Sequence, residues 1–369
     1  MPSNLFVRST FAAVAAAGML VAAPAVAAPH DATAVRDVGA TPSPVAPGVT
    51  LKMPAAIAGT LGVSRQSLVD AVATDALARS EAGRGLAPAD AISRLAAQGR
   101  KVVVDVRSAA PGWARGVAYV EASASPGAHP EGWLYIARYS AGQWVTGVEG
   151  DREFADQVAT SPLVGAAERR SMTAYAQHQA VQQQSVTQQP TGAATTAANT
   201  GGLLLPWMPD YYMTVTGGPH ASDGVNGYWS SLDLAGGNAS GRIRSSREGT
   251  ATSMCGAGGG WTRVIHPNGF STDYYHLWNA TYYNGTSVGS SALLGNIGTD
   301  VCAGGSATGA HVHWSLRTYD ANYNGMYTWL HGRTIGGWTW WNGNSQYQGC
   351  ATRLGVTACP GTAIYNRYS

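Results

Sequence analysis

Between Gln179 and Thr200 the chain runs through Gln, Thr, Ala and Asn around Pro190, and a stretch of that composition has too little apolar surface to join a core. A chain interrupted in this way has to build its cores on either side. At 369 residues, with 45% hydrophobic and 12% charged positions, it is long enough for two. Exposed segments of this kind are also where proteases cut. The expected organisation is an export signal at 1–28, a removable α+β pro-region at 29–178, a linker at 179–199 and the principal domain at 200–369.

The first residues carry the marks of an export signal: Arg8 precedes an Ala/Val/Leu run, and Ala25-Val-Ala27 offers a small-x-small cleavage site before Pro29. The apolar run is too short to span a bilayer and stay. The chain is thus expected to be secreted and extracellular, without a membrane anchor. Residues 29 to about 60 are rich in Ala, Pro and Val with no period, which predicts a loose tether. From Ser64 a helical period sets in with Leu68, Val72 and Leu77, and Pro88 opens a second helix through Ile92 and Leu95. Strand-like runs follow at Lys101–Val106, Trp113–Val120, Trp133–Tyr139 and Gln143–Val148, and then a helix from Glu153 towards Gln184.

The second half is built of short runs and turns. Glycine pairs and triplets at Gly217-Gly218, Gly236-Gly237, Gly258 to Gly260 and Gly304-Gly305 mark tight turns between short antiparallel strands. Trp261 to His266 and Phe270 to Leu277 flank Pro267-Asn-Gly269, a hairpin signal. An open antiparallel sheet or sandwich fits this pattern. This half holds no lysine, so a strong electrostatic grip on nucleic acid or on an anionic membrane is not expected.

Within it, the run Gly309-Ala-His-Val-His-Trp-Ser-Leu316 alternates in character. In a strand, His311, His313 and Ser315 share one face while Val312, Trp314 and Leu316 share the other, so one face is buried and the other carries chemistry. With His220, Asp233 and His276, the two histidines complete a set of five. A hydrolytic zinc site takes three nitrogen or oxygen ligands and keeps one position for water. Five residues then divide into three ligands and two proton carriers. No HExxH helix is present, and Glu248 is the only glutamate after the linker, so histidine is the expected acid or base. His266 and His331 are expected to be structural or solvated. The four cysteines, Cys255, Cys302, Cys350 and Cys359, permit three disulfide pairings, of which the sequential one is expected; a zinc site made of all four is disfavoured, because their spacings contain no CxxC.

The segments Gly218-Pro-His220, Ser230-Ser-Leu-Asp233, Tyr274-Tyr-His-Leu277, Cys302-Ala-Gly-Gly-Ser-Ala-Thr-Gly309 and His311-Val-His-Trp314 together resemble the beta-lytic metallopeptidases, the staphylolysin type within the lysostaphin-like zinc peptidase superfamily. The likeness runs from Leu205-Pro-Trp207 to the cysteine-bearing C-terminus, and Trp144-Val-Thr-Gly-Val-Glu149 resembles the family's pro-region. It implies a mainly β principal domain, an antiparallel sheet with a substrate groove, and one zinc ion held by His220, Asp233 and His313. His276 and His311 become the catalytic pair. The implied activity is bacteriolytic hydrolysis of glycine-containing peptide bonds, as in peptidoglycan interpeptide bridges or glycine-rich proteins, by a monomer held latent by its own pro-region. Trp229, Trp278, Trp314 and Tyr275 are candidates for the groove wall, with Trp314 expected in the core. Two departures stand out: Ala310 replaces a proline, and Tyr347 lies one residue closer to Cys350 than the family pattern has its tyrosine. Another wall zinc amidohydrolase, an amidase or D-alanyl carboxypeptidase, would use a similar ligand set. A non-catalytic wall-binding module typically lacks a ligand, whereas all five positions are present here.

Overall fold

The computed structural model describes residues 43–46, 48–125, 127–172, 198–222, 228–319 and 325–368. The expected export signal and most of the expected linker therefore lie outside the described residues, as does the expected helix beyond Met172. The described chain forms part of one compact unit, Asp37–Ser369.

The first half is a six-stranded sheet in chain order, Ser43–Ala46, Val49–Lys52, Val102–Ala110, Trp113–Val120, Glu131–Ser140 and Gln143–Val148. Alternation divides its two faces. Val102, Val104 and Val106 meet Leu68, Val72 and Leu77 of the helix Arg65–Arg79 and Leu95 of the helix Pro88–Ala97. Val103, Val117, Tyr119, Leu134 and Ile136 point the other way, into a cluster completed by Met254, Trp261, Ile265, Tyr275 and Ala303 of the second half. One face of the first-half sheet is thus covered by its own helices and the other by the second half.

Two expectations need correction here. The supposed tether contains the strand Val49–Lys52, paired in parallel with Val102–Ala110, and the helix Ala55–Leu61. Burial of Val49, Leu51 and Leu61 supplies order that an aperiodic composition hides. The helix expected from Glu153 towards Gln184 is interrupted: it runs over Arg152–Thr160, breaks where Ser161 adopts an extended conformation before Pro162, as pre-proline residues favour, and helix resumes at 166–172.

In the second half, among the described residues, nine strands form one sheet in the order Asn284–Val288, Gly249–Ser253, Thr262–Ile265, Ser271–Tyr275, Val312–Tyr319, Trp229–Ala235, Tyr212–Ala221 and Ala363–Tyr365, with Gly325–Tyr327 paired to Val312–Tyr319. The neighbours along this path are antiparallel. A five-stranded sheet stands beside it, and its edge, Ala198–Asn199, pairs in parallel with Arg333–Ile335. The Pro267-Asn-Gly269 hairpin is present, with Gly269 at φ 84° and the His266 amide donating to the Phe270 carbonyl over 2.9 Å. Val312, Trp314 and Leu316 are fully buried in one core with Leu232, Leu234, Trp207 and Trp340. Each such side chain stabilises the fold by roughly 1.5–3 kcal/mol. That burial aims the alternate positions, His311, His313 and Ser315, at the opposite face. Cys255 bonds to Cys302 and Cys350 to Cys359.

Candidate metal centre

Three adjacent strands bring the polar set together. His313 stands in register with Asp233 on one side and with Tyr275 on the other, while His220 lies opposite Ser231 on the next strand. Hydrophobic register therefore fixes the polar face, since a one-residue slip of Val312–Tyr319 would turn His313 into the core.

The donor atoms converge. His313 Nδ1 lies 3.0 Å from Asp233 Oδ1 and 3.2 Å from His220 Nε2, and His220 Nε2 lies 3.5 Å from Asp233 Oδ1. The edge of a tetrahedron around an ion with ligands at zinc distances is about 3.3 Å. His220 Nδ1–H donates to the Gly218 carbonyl over 2.8 Å, which leaves the Nε2 lone pair facing His313 Nδ1. Two buried imidazole nitrogens and a carboxylate oxygen meet at one place, as the ligands of a cation would. The donor set fits a borderline-soft divalent metal such as zinc.

Two further imidazoles sit at the rim. His311 Nδ1–H donates to the Gly309 carbonyl over 2.7 Å, and its Nε2 lies 3.6 Å from Asp233 Oδ1. His276 Nδ1–H donates to the Asp300 carbonyl over 2.8 Å, and its buried Nε2 has no partner in the fold. The two rings are 4.7 Å apart. His276 follows directly on the strand Ser271–Tyr275 with φ 66°, an uncommon conformation for a residue with a Cβ. It is held by the loop 298–302. Asp300 Oδ1 accepts from the amides of Gly260 and Cys302, and Gly298 exchanges backbone hydrogen bonds with His311.

Burial sets the charge states. It lowers His313 to about 3 and, together with the neighbouring His311, His276 to about 4, and it depresses His220 as well. Burial alone would raise Asp233, but His220 and the hydrogen bond from His313 hold its carboxyl well below the usual range. At neutral pH His220, His276 and His313 are therefore uncharged around one carboxylate. Tyr347 stacks on His220 with ring centres 4.0 Å apart, and burial followed by the Asp233 charge pushes its phenol up to about 12. It therefore presents a neutral hydroxyl.

The remaining candidates separate clearly. His266 is fully buried, with Nδ1 on the Glu248 carbonyl at 2.9 Å and Nε2 on Thr272 Oγ1 at 2.8 Å, so it is structural and not solvated. His331 accepts from the Asn342 amide and packs edge-on against Trp341. Of the proposed groove aromatics, Trp278 is 70% exposed, Trp229 packs against Trp329, and Trp314 is core. Tyr275 is corrected: it is 2% exposed, and its hydroxyl donates to the Gly304 carbonyl, so it supports the loop beside His276 and does not wall an open groove.

One residue at the centre was not legible in sequence. His129, from the loop between Trp113–Val120 and Glu131–Ser140 of the first half, stacks on His313 with ring centres 3.4 Å apart and planes 19° apart, and lies edge-on to His276 and Tyr275. It sits alone in Pro126-Gly-Ala-His-Pro130, a run with turn character and no ligand spacing.

No family model matches the chain. It is 32% identical over 182 residues to Protease LasA of Pseudomonas aeruginosa, across 44% of this chain and 41% of that protein. It is 31% identical over 164 residues to the beta-lytic metalloendopeptidase of Lysobacter enzymogenes, across 41% of this chain and 86% of that one. Among solved structures it is similar to pseudoalterin, described as an M23 metalloprotease from the deep sea, with 31% identity, 45% of this chain and 99% of that chain covered, and a TM-score of 0.39. The match to the first of these relatives spans less than half of that protein's length.

Proposed function

This chain belongs to the beta-lytic metallopeptidase family, and we propose that it is a secreted zinc metalloendopeptidase that cleaves glycine-containing peptide bonds in bacterial wall cross-bridges. The observation that carries the reading is the meeting of His220 Nε2, Asp233 Oδ1 and His313 Nδ1 within 3.5 Å of one another, with His276 and His311 at the rim. In this reading the first three hold one zinc ion and the last two handle protons. Residues 1–28 act as an export signal, 29–178 as a pro-region, and the linker at 179–199 is the processing site. Among the described residues no helix is long and apolar enough to cross a membrane.

Zinc at such a site would polarise the scissile carbonyl and bring the pKa of a water towards about 7. The protein's share is positional. Because Nδ1 of both His276 and His311 is engaged by a carbonyl, Nε2 is the nitrogen that each ring turns to proton transfer. One of these accepts a proton as water adds to the carbonyl carbon, and the same proton passes to the amine nitrogen as the C–N bond breaks. The second ring, with the neutral Tyr347 hydroxyl across the site, lines the space in which charge develops on the carbonyl oxygen. In this reading the exposed Trp278 forms part of the wall that admits a backbone without Cβ atoms.

Incubating the processed protein with glycine-bridged peptidoglycan, with and without chelator, tests the reading. New glycine amino termini that appear only without chelator support it. Release of muramyl amide products or of terminal D-alanine would replace it with an amidase or a carboxypeptidase.

A further inference from the structure

The loop joining Trp113–Val120 to Glu131–Ser140 is built to enter the centre. The Ala122 amide donates to the Ala303 carbonyl over 2.9 Å, and Ala122 bridges to Gly304. Gly304 and Gly305 make this approach possible, because a Cβ there would lie 2.5 Å from the Ala122 carbonyl oxygen and 2.3 Å from that of Ala128. At the end of the loop His129 is 9% exposed, and its Nδ1 is buried with no partner in the fold. One ring nitrogen from each of His129, His220 and His313 lies within 4.8 Å of the other two. An unpartnered buried ring nitrogen costs free energy unless something occupies its lone pair.

We propose that His129 is a fourth metal ligand in the unprocessed protein and keeps it latent by filling the coordination position that water would take. The inference rests on the reading of His220, Asp233 and His313 as the zinc ligands. Four protein ligands make a closed zinc site of the structural kind, whereas three leave the open position that hydrolysis requires. Removal of the pro-region then opens the centre without rearranging the principal domain, since the other three donors belong to its sheet. Latency in this scheme is coordination, reached as the His129 ring turns out of its stack on His313 to bring its lone pair onto the ion.

Cobalt substitution of the full-length protein tests this, with His129→Phe and His129→Ala compared with the parent. Phenylalanine keeps a ring on His313 and removes only the nitrogen. The expected result is that both variants shift the visible cobalt absorption in the same way. Both should also lose metal to a chelator on the order of 10- to 100-fold faster than the parent, the range over which a lost partner weakens a metal site. A His129→Phe protein with the parent's spectrum and metal-loss rate would show that the ring only plugs the site, and would overturn the proposal. A parent protein that takes up no cobalt or zinc would overturn the zinc reading itself.

Discussion

His313 and Asp233 stand directly opposite each other on neighbouring antiparallel strands, with Nδ1 of the one 3.0 Å from Oδ1 of the other. The backbone ladder holds this pair, so its spacing survives changes elsewhere in the loops. Asp233→Asn keeps the volume and removes the charge. Zinc affinity of that variant, measured by competition with a chromophoric chelator, is expected to fall by at least roughly 10- to 100-fold while the fold is kept. An affinity equal to the parent's would remove Asp233 from the ligand set.

Gly298 touches both rim histidines through the backbone. A Cβ at that position would sit 2.7 Å from the His276 carbonyl oxygen and 2.7 Å from Trp278 Cβ. Gly298→Ala is expected to lower kcat by about 10²-fold, the cost of a misplacement near 1 Å, with zinc content unchanged. Unchanged turnover would show that the loop does not position the pair.

Much of this was legible in the residues. The run His311 to Leu316 could be assigned because strand alternation and core burial coincide there, and the Pro267-Asn-Gly269 turn because its chemistry is local. The order over 43–61 was hidden, since its strands and helix are stabilised by contacts to Val102–Ala110 and not by their own period. His129 was hidden for a related reason. Its partners lie on strands far along the chain, and a lone histidine in a turn-rich run has no spacing to betray it. Glu149 was visible only as part of a family-like run, while its partners Arg263 and Arg317 are more than a hundred residues away.

That last cluster makes a prediction about the join between the two halves. Arg263 Nη1 donates over 2.6 Å to both Glu149 Oε2 and the Gly132 carbonyl, while its other nitrogens clasp Asp273. All three ionic side chains are buried. Glu149→Ala leaves Arg317 and part of Arg263 uncompensated and is expected to destabilise the full-length protein by about 3 kcal/mol. Chemical denaturation measures this, and an unchanged midpoint would mean that the pair contributes nothing net.

His266 gives a pH signature away from the metal ligands. Burial lowers it to about 4, against about 6.5 in an unfolded chain. The unfolded state therefore binds the proton more readily, so the contribution of His266 is complete above about pH 6.5 and is lost as pH falls towards 4. Compared with His266→Gln in metal-free protein, the parent is expected to lose on the order of 3 kcal/mol more stability across that window. Parallel stability curves for the two proteins would contradict this assignment.

The most direct test of the central claim is zinc stoichiometry in the His129→Phe background, where the proposed fourth donor is absent. One zinc per chain is expected in that background, one when His276→Ala is added, and none when His313→Ala is added. Zinc retained without His313, or lost with His276, would contradict the division of the five residues into ligands and proton carriers.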